Sequence, residues 1–164
     1  MQNIKSLSYN NGRQAFLHKP QPPAKNKKTM HNNRFPLKEH LKSKSIIDKL
    51  YAEGASVTAY PLRAVFIEVP TDSQEPTATI LISVAKRRFR HAVDRNLVKR
   101  RIREAYRLNK NPFIDCLNTQ GKKMAVAILY IDTKHNSTEF LMKKMSKLLT
   151  AITDKNEKLC ASSL

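Results

Sequence analysis

The sequence predicts an α+β protein, an α/β sandwich in which helices pack on one small central sheet. Three observations lead there. Runs rich in branched and aromatic residues at 62–69 (LRAVFIEV), 77–85 (TATILISVA) and 124–131 (MAVAILYI) read as strands. Stretches at 43–54 and 137–152 carry apolar residues at helical spacing. Between the second and third strands, a long basic stretch threads its few apolar residues at the same spacing. The order helix–strands–helix–strand–helix describes a sheet with helices laid on it.

Residues 1–33 are rich in Asn, Gln, Pro and Lys, with PQPPAKNKK at their centre. They cannot bury enough apolar surface to fold alone and read as a disordered basic arm. The folded domain is placed at 34–152, with a flexible tail at 153–164. In SKSIIDKLYAEG, Ile46, Ile47, Leu50 and Tyr51 form one apolar side. Ser43 or Ser45 is suited to cap that helix, and Gly54 to close it in a left-handed conformation. Residues 70–76 (PTDSQEP) form a turn or loop. NPFIDCLNTQGKK (111–123) reads as a loop with one helical turn. Ser137 caps the last helix, whose apolar face is Leu141, Met142, Met145, Leu148, Leu149 and Ile152.

Charge is the unusual property. The 164 residues carry a formal net charge of +18, with a pI near 10.2. Met1–Arg34 holds seven Lys and Arg and no acid; Lys86–Lys110 holds eleven against two, Asp94 and Glu104. The remainder is nearly neutral, so two basic devices are expected, one flexible and one ordered, both suited to a polyanion. No stretch approaches the roughly 20 apolar residues of a membrane span. The N-terminus lacks the apolar core of a signal peptide. Cys116 and Cys160 sit in no ligand or disulfide-scaffold spacing and read as free thiols of a cytoplasmic protein.

On a helical wheel at about 100° per residue, Val98, Ile102, Ala105 and Tyr106 share one arc of about 100°. Arg95, Asn96, Lys99, Arg100, Arg103 and Arg107 fill the neighbouring arc of about 140°. A helix with interleaved acids would simply present a solvated charged face. Here acids are scarce, cations repel at i, i+4, and phosphates are the natural counter-charge. Charge alone does not distinguish RNA from DNA. Catalysis by the chain itself is not supported. Its acids are scattered, its five His show no HxxxH pairing, and its three isolated Gly form no phosphate-cradling loop.

The stretch ISVAKRRFRHAVDRNLVKRRIREAYRL (82–108) resembles the signature of the bacterial ribonuclease P protein subunit, a strand ending in a basic pair followed by an A-V-x-R-N-R-x-K-R-x-x-R-E helix. IIDKLYAEGASVTAYPLRAVFIEV and MAVAILYI resemble its first helix and strand and its last strand. The resemblance covers about 34–152. Leu97 stands where the family's motif has its second Arg.

The resemblance implies an αβββαβα fold with the basic helix in a left-handed crossover, against the general right-handed rule. It implies a subunit that binds a catalytic RNA and the 5′ leader of precursor tRNA and assists magnesium-dependent removal of that leader. The chemistry belongs to the RNA, which mainly holds the Mg2+, and no protein partner is required. Arg95, Asn96, Lys99, Arg100 and Arg103 match the motif and are expected to face the catalytic RNA. Lys86 and Arg87 match the basic pair lying toward substrate, and Arg88, Arg90 and Arg107 extend the basic surface. Ile47 and Tyr51 match the leader-cleft positions on the first helix and Val65 approximately matches one on the strand, although Ile47 and Val65 fit ordinary core equally well. The alternatives are a ribosomal or other structured-RNA scaffold protein and, further off, a module reading the DNA major groove.

Overall fold

The computed structural model describes residues 34–71 and 76–161. The expected disordered arm at 1–33 lies outside the described residues, as do part of the 70–76 loop and the last residues of the expected tail. The elements are α1 (Lys44–Glu53), β1 (Ala55–Ala59), β2 (Leu62–Val69), β3 (Ala78–Val84), α2 (Ala92–Thr119), β4 (Lys123–Tyr130) and α3 (Thr138–Ala161). This is the αβββαβα order. The four-stranded sheet runs β1-β2-β4-β3. β2 pairs antiparallel with β1 and β4, whereas β3 and β4 are parallel and joined through α2.

Strand alternation divides the core in two. Ala64 and Phe66 of β2, Ile80 and Val84 of β3, and Val126 and Ile128 of β4 face α2 and α3. Val65 and Val69 of β2 and Ala125 and Ala127 of β4 face the other way, toward Leu41 and Leu50 at α1. β3 is an edge strand. The segment before α1 runs beside it, with His40 bridging Ile80 and the Leu41 N–H donating to the Ile80 carbonyl at 3.1 Å.

Four features differ from the sequence reading. β1 is a strand that ASVTA, short and half polar, does not announce; it pairs Ala55–Ala59 with Phe66–Leu62. α2 runs through the expected loop to Thr119, with Pro112 inside it. Phe113 and Leu117 extend the stripe of Val98, Ile102 and Tyr106, and all are buried. The helix ends where Gly121, at φ 64°, makes the left-handed turn. The Gly121 and Lys122 N–H groups then donate to the Asn118 and Leu117 carbonyls. α3 continues to Ala161, past the boundary expected after residue 152, and buries Asn156 on the way. Its start is as expected, with the Phe140 N–H donating to Ser137 Oγ at 3.2 Å.

Gly54 is the fourth. It follows α1 in an extended conformation (φ −65°, ψ 136°), not a left-handed one. Its lack of a side chain serves close approach. A Cβ there would lie 2.2 Å from the Leu50 carbonyl oxygen and 2.7 Å from Val65 Cγ1. The chain passes directly from α1 into β1 at this point, and only glycine lets the helix end sit so close to β2. Gly54→Ala is expected to lower stability by roughly 1–3 kcal/mol, read as a fall in the thermal unfolding midpoint. An unchanged midpoint would mean that α1 can back away freely.

Candidate nucleic-acid interface

β3 ends at Val84 and the chain turns through Ala85–His91 into α2. The turn is tied from both sides. The Arg88 N–H donates to the Ala85 carbonyl at 3.0 Å. Phe89 is buried against Tyr130 and His135, with ring centroids 6.0 and 4.8 Å away. From the first turn of α2, Arg95 Nη1 donates to the Phe89 and Arg90 carbonyls at 2.9 and 2.8 Å. The turn is thereby fixed with Lys86, Arg87 and Arg90 exposed and Arg88 half-buried. Arg95, expected among the RNA-facing cations, spends one guanidinium nitrogen as a clamp on the loop backbone.

Along α2, Asn96, Arg100 and Arg103 are exposed and Lys99 is half-buried. None of these four makes an ion pair among the described residues. Arg107 differs. The sequence reading put it in an arc without acid, but its Nε and Nη2 donate to Glu104 at 2.9 and 2.5 Å. That hydrogen bond, with the charge attraction, holds the Glu104 carboxyl below its ordinary pKa and raises that of Arg107. Glu104 lies one turn before Arg107, so the pair forms within the helix. Arg101 turns to the other flank, donating to the Asn136 carbonyl at 2.7 Å and tying α2 to the β4–α3 connection.

The segment 34–43 is anchored to the same helix. Lys110 is buried, and its Nζ donates to both Glu39 carboxylate oxygens (2.6 and 2.8 Å) and to the Arg34 carbonyl (2.5 Å). Phe35 packs edge-on to Tyr106 and stacks on His40. Burial, followed by the charges of Arg103 and Lys42, pushes the His40 imidazole below its ordinary pKa, against the opposing pull of Glu39. Burial and the Glu39 charge push the Tyr106 hydroxyl up. Sequence reasoning counted Lys110 as one more cation of the basic stretch and found no partner spacing for His40. The missed signal for Lys110 was its position four residues after Tyr106, on the buried side of the helix.

On the opposite sheet face, α1 presents Ile47 half-buried and Tyr51 50% exposed, one turn apart. Partial burial raises the Tyr51 hydroxyl pKa. Ile67, Leu81 and Leu129 lie half-buried in the same apolar cluster and provide a floor beside the helix. Val65 is the exception among the expected cleft residues. At 8% exposure it lies beneath α1, close to Gly54, and belongs to the core. Among the described residues no three His, Cys, Asp or Glu side chains gather as a metal site, and no helix is long and apolar enough to cross a membrane.

The family model for ribonuclease P matches residues 35–153, which takes in both surfaces. The chain belongs to the ribonuclease P protein family. The ribonuclease P protein component of Porphyromonas gingivalis (strain ATCC 33277) is 35% identical over 114 residues, covering 70% of this chain and 82% of that one. That of Chlorobium phaeobacteroides is 30% identical over 129 residues, covering 73% and 88%. The structure of the Staphylococcus aureus RNase P protein superposes with a TM-score of 0.56 at 19% identity, covering 70% of this chain and 94% of that one, and supports the fold. As a ribonuclease P protein, the chain is the protein component of a ribonucleoprotein enzyme that processes tRNA, and RNA is its partner. The ribosomal scaffold alternative is not favoured.

Within the ribonuclease P motif, Leu97 is 39% exposed, on the side of the helix that also carries Glu104 and Leu108 and about 120° around the helix from Arg103. Its departure from the family's Arg therefore leaves the exposed cations in place. Clamp and contact residues separate experimentally. Arg95→Ala is expected to lower stability by about 1.5–3 kcal/mol, the worth of hydrogen bonds to a charged group. Arg100→Ala should stay within about 0.5 kcal/mol while weakening RNA binding. Urea unfolding and RNA titration read the two effects; equal stability of the two variants would remove Arg95 as a clamp.

Proposed function

We propose that this chain binds the catalytic RNA of ribonuclease P through α2 and its preceding turn, and holds the 5′ leader of precursor tRNA beside α1. The observation that carries the reading is a helix face bearing Asn96, Lys99, Arg100 and Arg103 with no acid partner among the described residues, continued by Lys86, Arg87 and Arg90 on a clamped turn. Arg recognises phosphate by bidentate hydrogen bonding, and a pre-ordered array of such donors loses little entropy on binding. The sheet separates this array from the α1 surface. RNA on one side and leader on the other can thus be held by one small domain.

Magnesium, held mainly by the RNA, supplies water activation and stabilisation of the leaving oxygen. The acids of the described residues do not assemble a donor set for it, and the chain's part is to bind and orient. Lys86, Arg87 and Arg90 add positive charge where leader and catalytic RNA meet. Tyr51 offers a ring for a leader base, and Ile47 lends apolar surface. The place of action is the cytoplasm, where precursor tRNA is made.

Reconstitution of precursor tRNA cleavage with the cognate RNA, with and without the chain, tests the role directly. Within it, Tyr51→Ala should weaken precursor tRNA binding by roughly 1–3 kcal/mol and leave mature tRNA binding unchanged. Substrates with long, short and absent leaders read the difference. An equal loss on all three would remove Tyr51 from the leader site.

A further inference from the structure

α3 carries a second basic surface that the family motif does not include. Phe140, Lys143, Lys144 and Lys147 line an open groove of about 640 Å³ together with Asn109 of α2. Phe140 lies off the buried stripe of Leu141, Met145 and Leu148, and the residue is 38% exposed. Lys144 Nζ sits 5.3 Å from the ring centroid. Lys143 and Lys147 are exposed one turn apart, a repulsive spacing for like charges. None of the three lysines makes an ion pair among the described residues. Across the groove, the Asn109 side-chain nitrogen donates to the Ala105 carbonyl at 2.7 Å, which leaves its amide oxygen as an acceptor.

We propose that this groove is a second RNA-docking surface that takes a short single-stranded segment, one base on Phe140 and its flanking phosphates on Lys143, Lys144 and Lys147. The inference rests on the ribonucleoprotein role proposed above. A flat ring flanked by unpaired cations suits a nucleotide, since the base has a π-face and the phosphate a charge to neutralise. Base stacking on an aromatic is stronger than an exposed cation–π contact, so an incoming base displaces the Lys144 ammonium toward the phosphate. The Asn109 oxygen accepts a hydrogen bond from a base amino group or a 2′-hydroxyl. An acidic peptide would satisfy the lysines but leave the ring without a flat partner. Leu97, Glu104 and Leu108 share one flank of α2 by helical spacing, and Leu108 lines a pocket with Ser146 and Leu149 of α3, which sets the groove apart from Asn96 and Arg103.

The test uses the full chain with a single-stranded RNA oligonucleotide carrying 4-thiouridine, and polyglutamate in parallel. Photo-crosslinks are expected on the peptide containing Phe140. Phe140→Leu should weaken the oligonucleotide by roughly five- to a hundred-fold, also when Arg100 and Arg103 are already Ala. Lys143→Gln with Lys147→Gln, both exposed and so neutral for folding, should flatten log affinity against log salt by roughly one to two units. A Phe140→Leu variant that unfolds leaves the lysine pair to decide, since an unchanged salt slope overturns the proposal. So does a Phe140→Leu loss seen with polyglutamate and not with RNA. If the Arg100 and Arg103 changes impair binding of the catalytic RNA while every α3 change is silent, this surface fails and the proposed function stands.

Discussion

Val98, Ile102, Ala105, Tyr106, Phe113 and Leu117 press one side of α2 onto the sheet, and the basic surface depends on that seam. The stretch Lys86–Lys110, which forms the preceding turn and most of the helix, holds eleven Lys and Arg against two acids, and such a segment in isolation would repel itself into a coil. Each large apolar side chain buried contributes roughly 1.5–3 kcal/mol. An exposed like-charge pair on a helix costs only a few tenths of a kcal/mol. Burial therefore wins, and it leaves Lys99, Arg100 and Arg103 ordered, close together and without an ion-pair partner among the described residues. That residual repulsion is the form in which the fold holds a preference for a polyanion.

Two attachments convert a docked helix into a fixed one. Arg95 closes the turn from β3 onto the helix start. Lys110, near its middle, reaches Glu39 and the Arg34 carbonyl from the buried side. A buried ion pair adds little net stability, but removing one partner leaves a charge stranded at a penalty of about 3–5 kcal/mol. The pair thus specifies where the segment 34–43 lies more than how strongly the domain folds. It sets Arg34 against the helix that carries the cations, and it holds His40 next to Arg103.

Periodicity made most of this legible in the sequence. The buried arc of α2 and the apolar face of α3 follow from spacing alone, and the two strands flanking α2 from their branched residues. Pro112 and the neighbouring Asn residues suggested a loop, yet Phe113 and Leu117 already continued the period from Tyr106 and outweighed them. β1 escaped because its side chains are small and partly polar, and its existence depends on pairing with β2. The site was readable as a set of cations but not as a division of labour. Glu104 and Arg107 sit three apart, a pairing that the wheel contained and charge counting hid. The Arg95 clamp needs the path of the loop backbone, and the burial of Val65 needs the close approach at Gly54. Neither is encoded in the local pattern.

The central claim is that the exposed face at the start of α2 lies against the catalytic RNA. Directed hydroxyl-radical cleavage tests it most directly. An iron chelate is attached at Asn96→Cys in a chain whose own cysteines are Ser, and separately at Asp154→Cys on the far part of α3. Both positions are exposed, so attachment should leave the fold intact. The account predicts strong, localised cleavage of the ribonuclease P RNA from position 96 and little from position 154. Equal cleavage from both, or cleavage only from 154, would show that the RNA lies elsewhere on the protein.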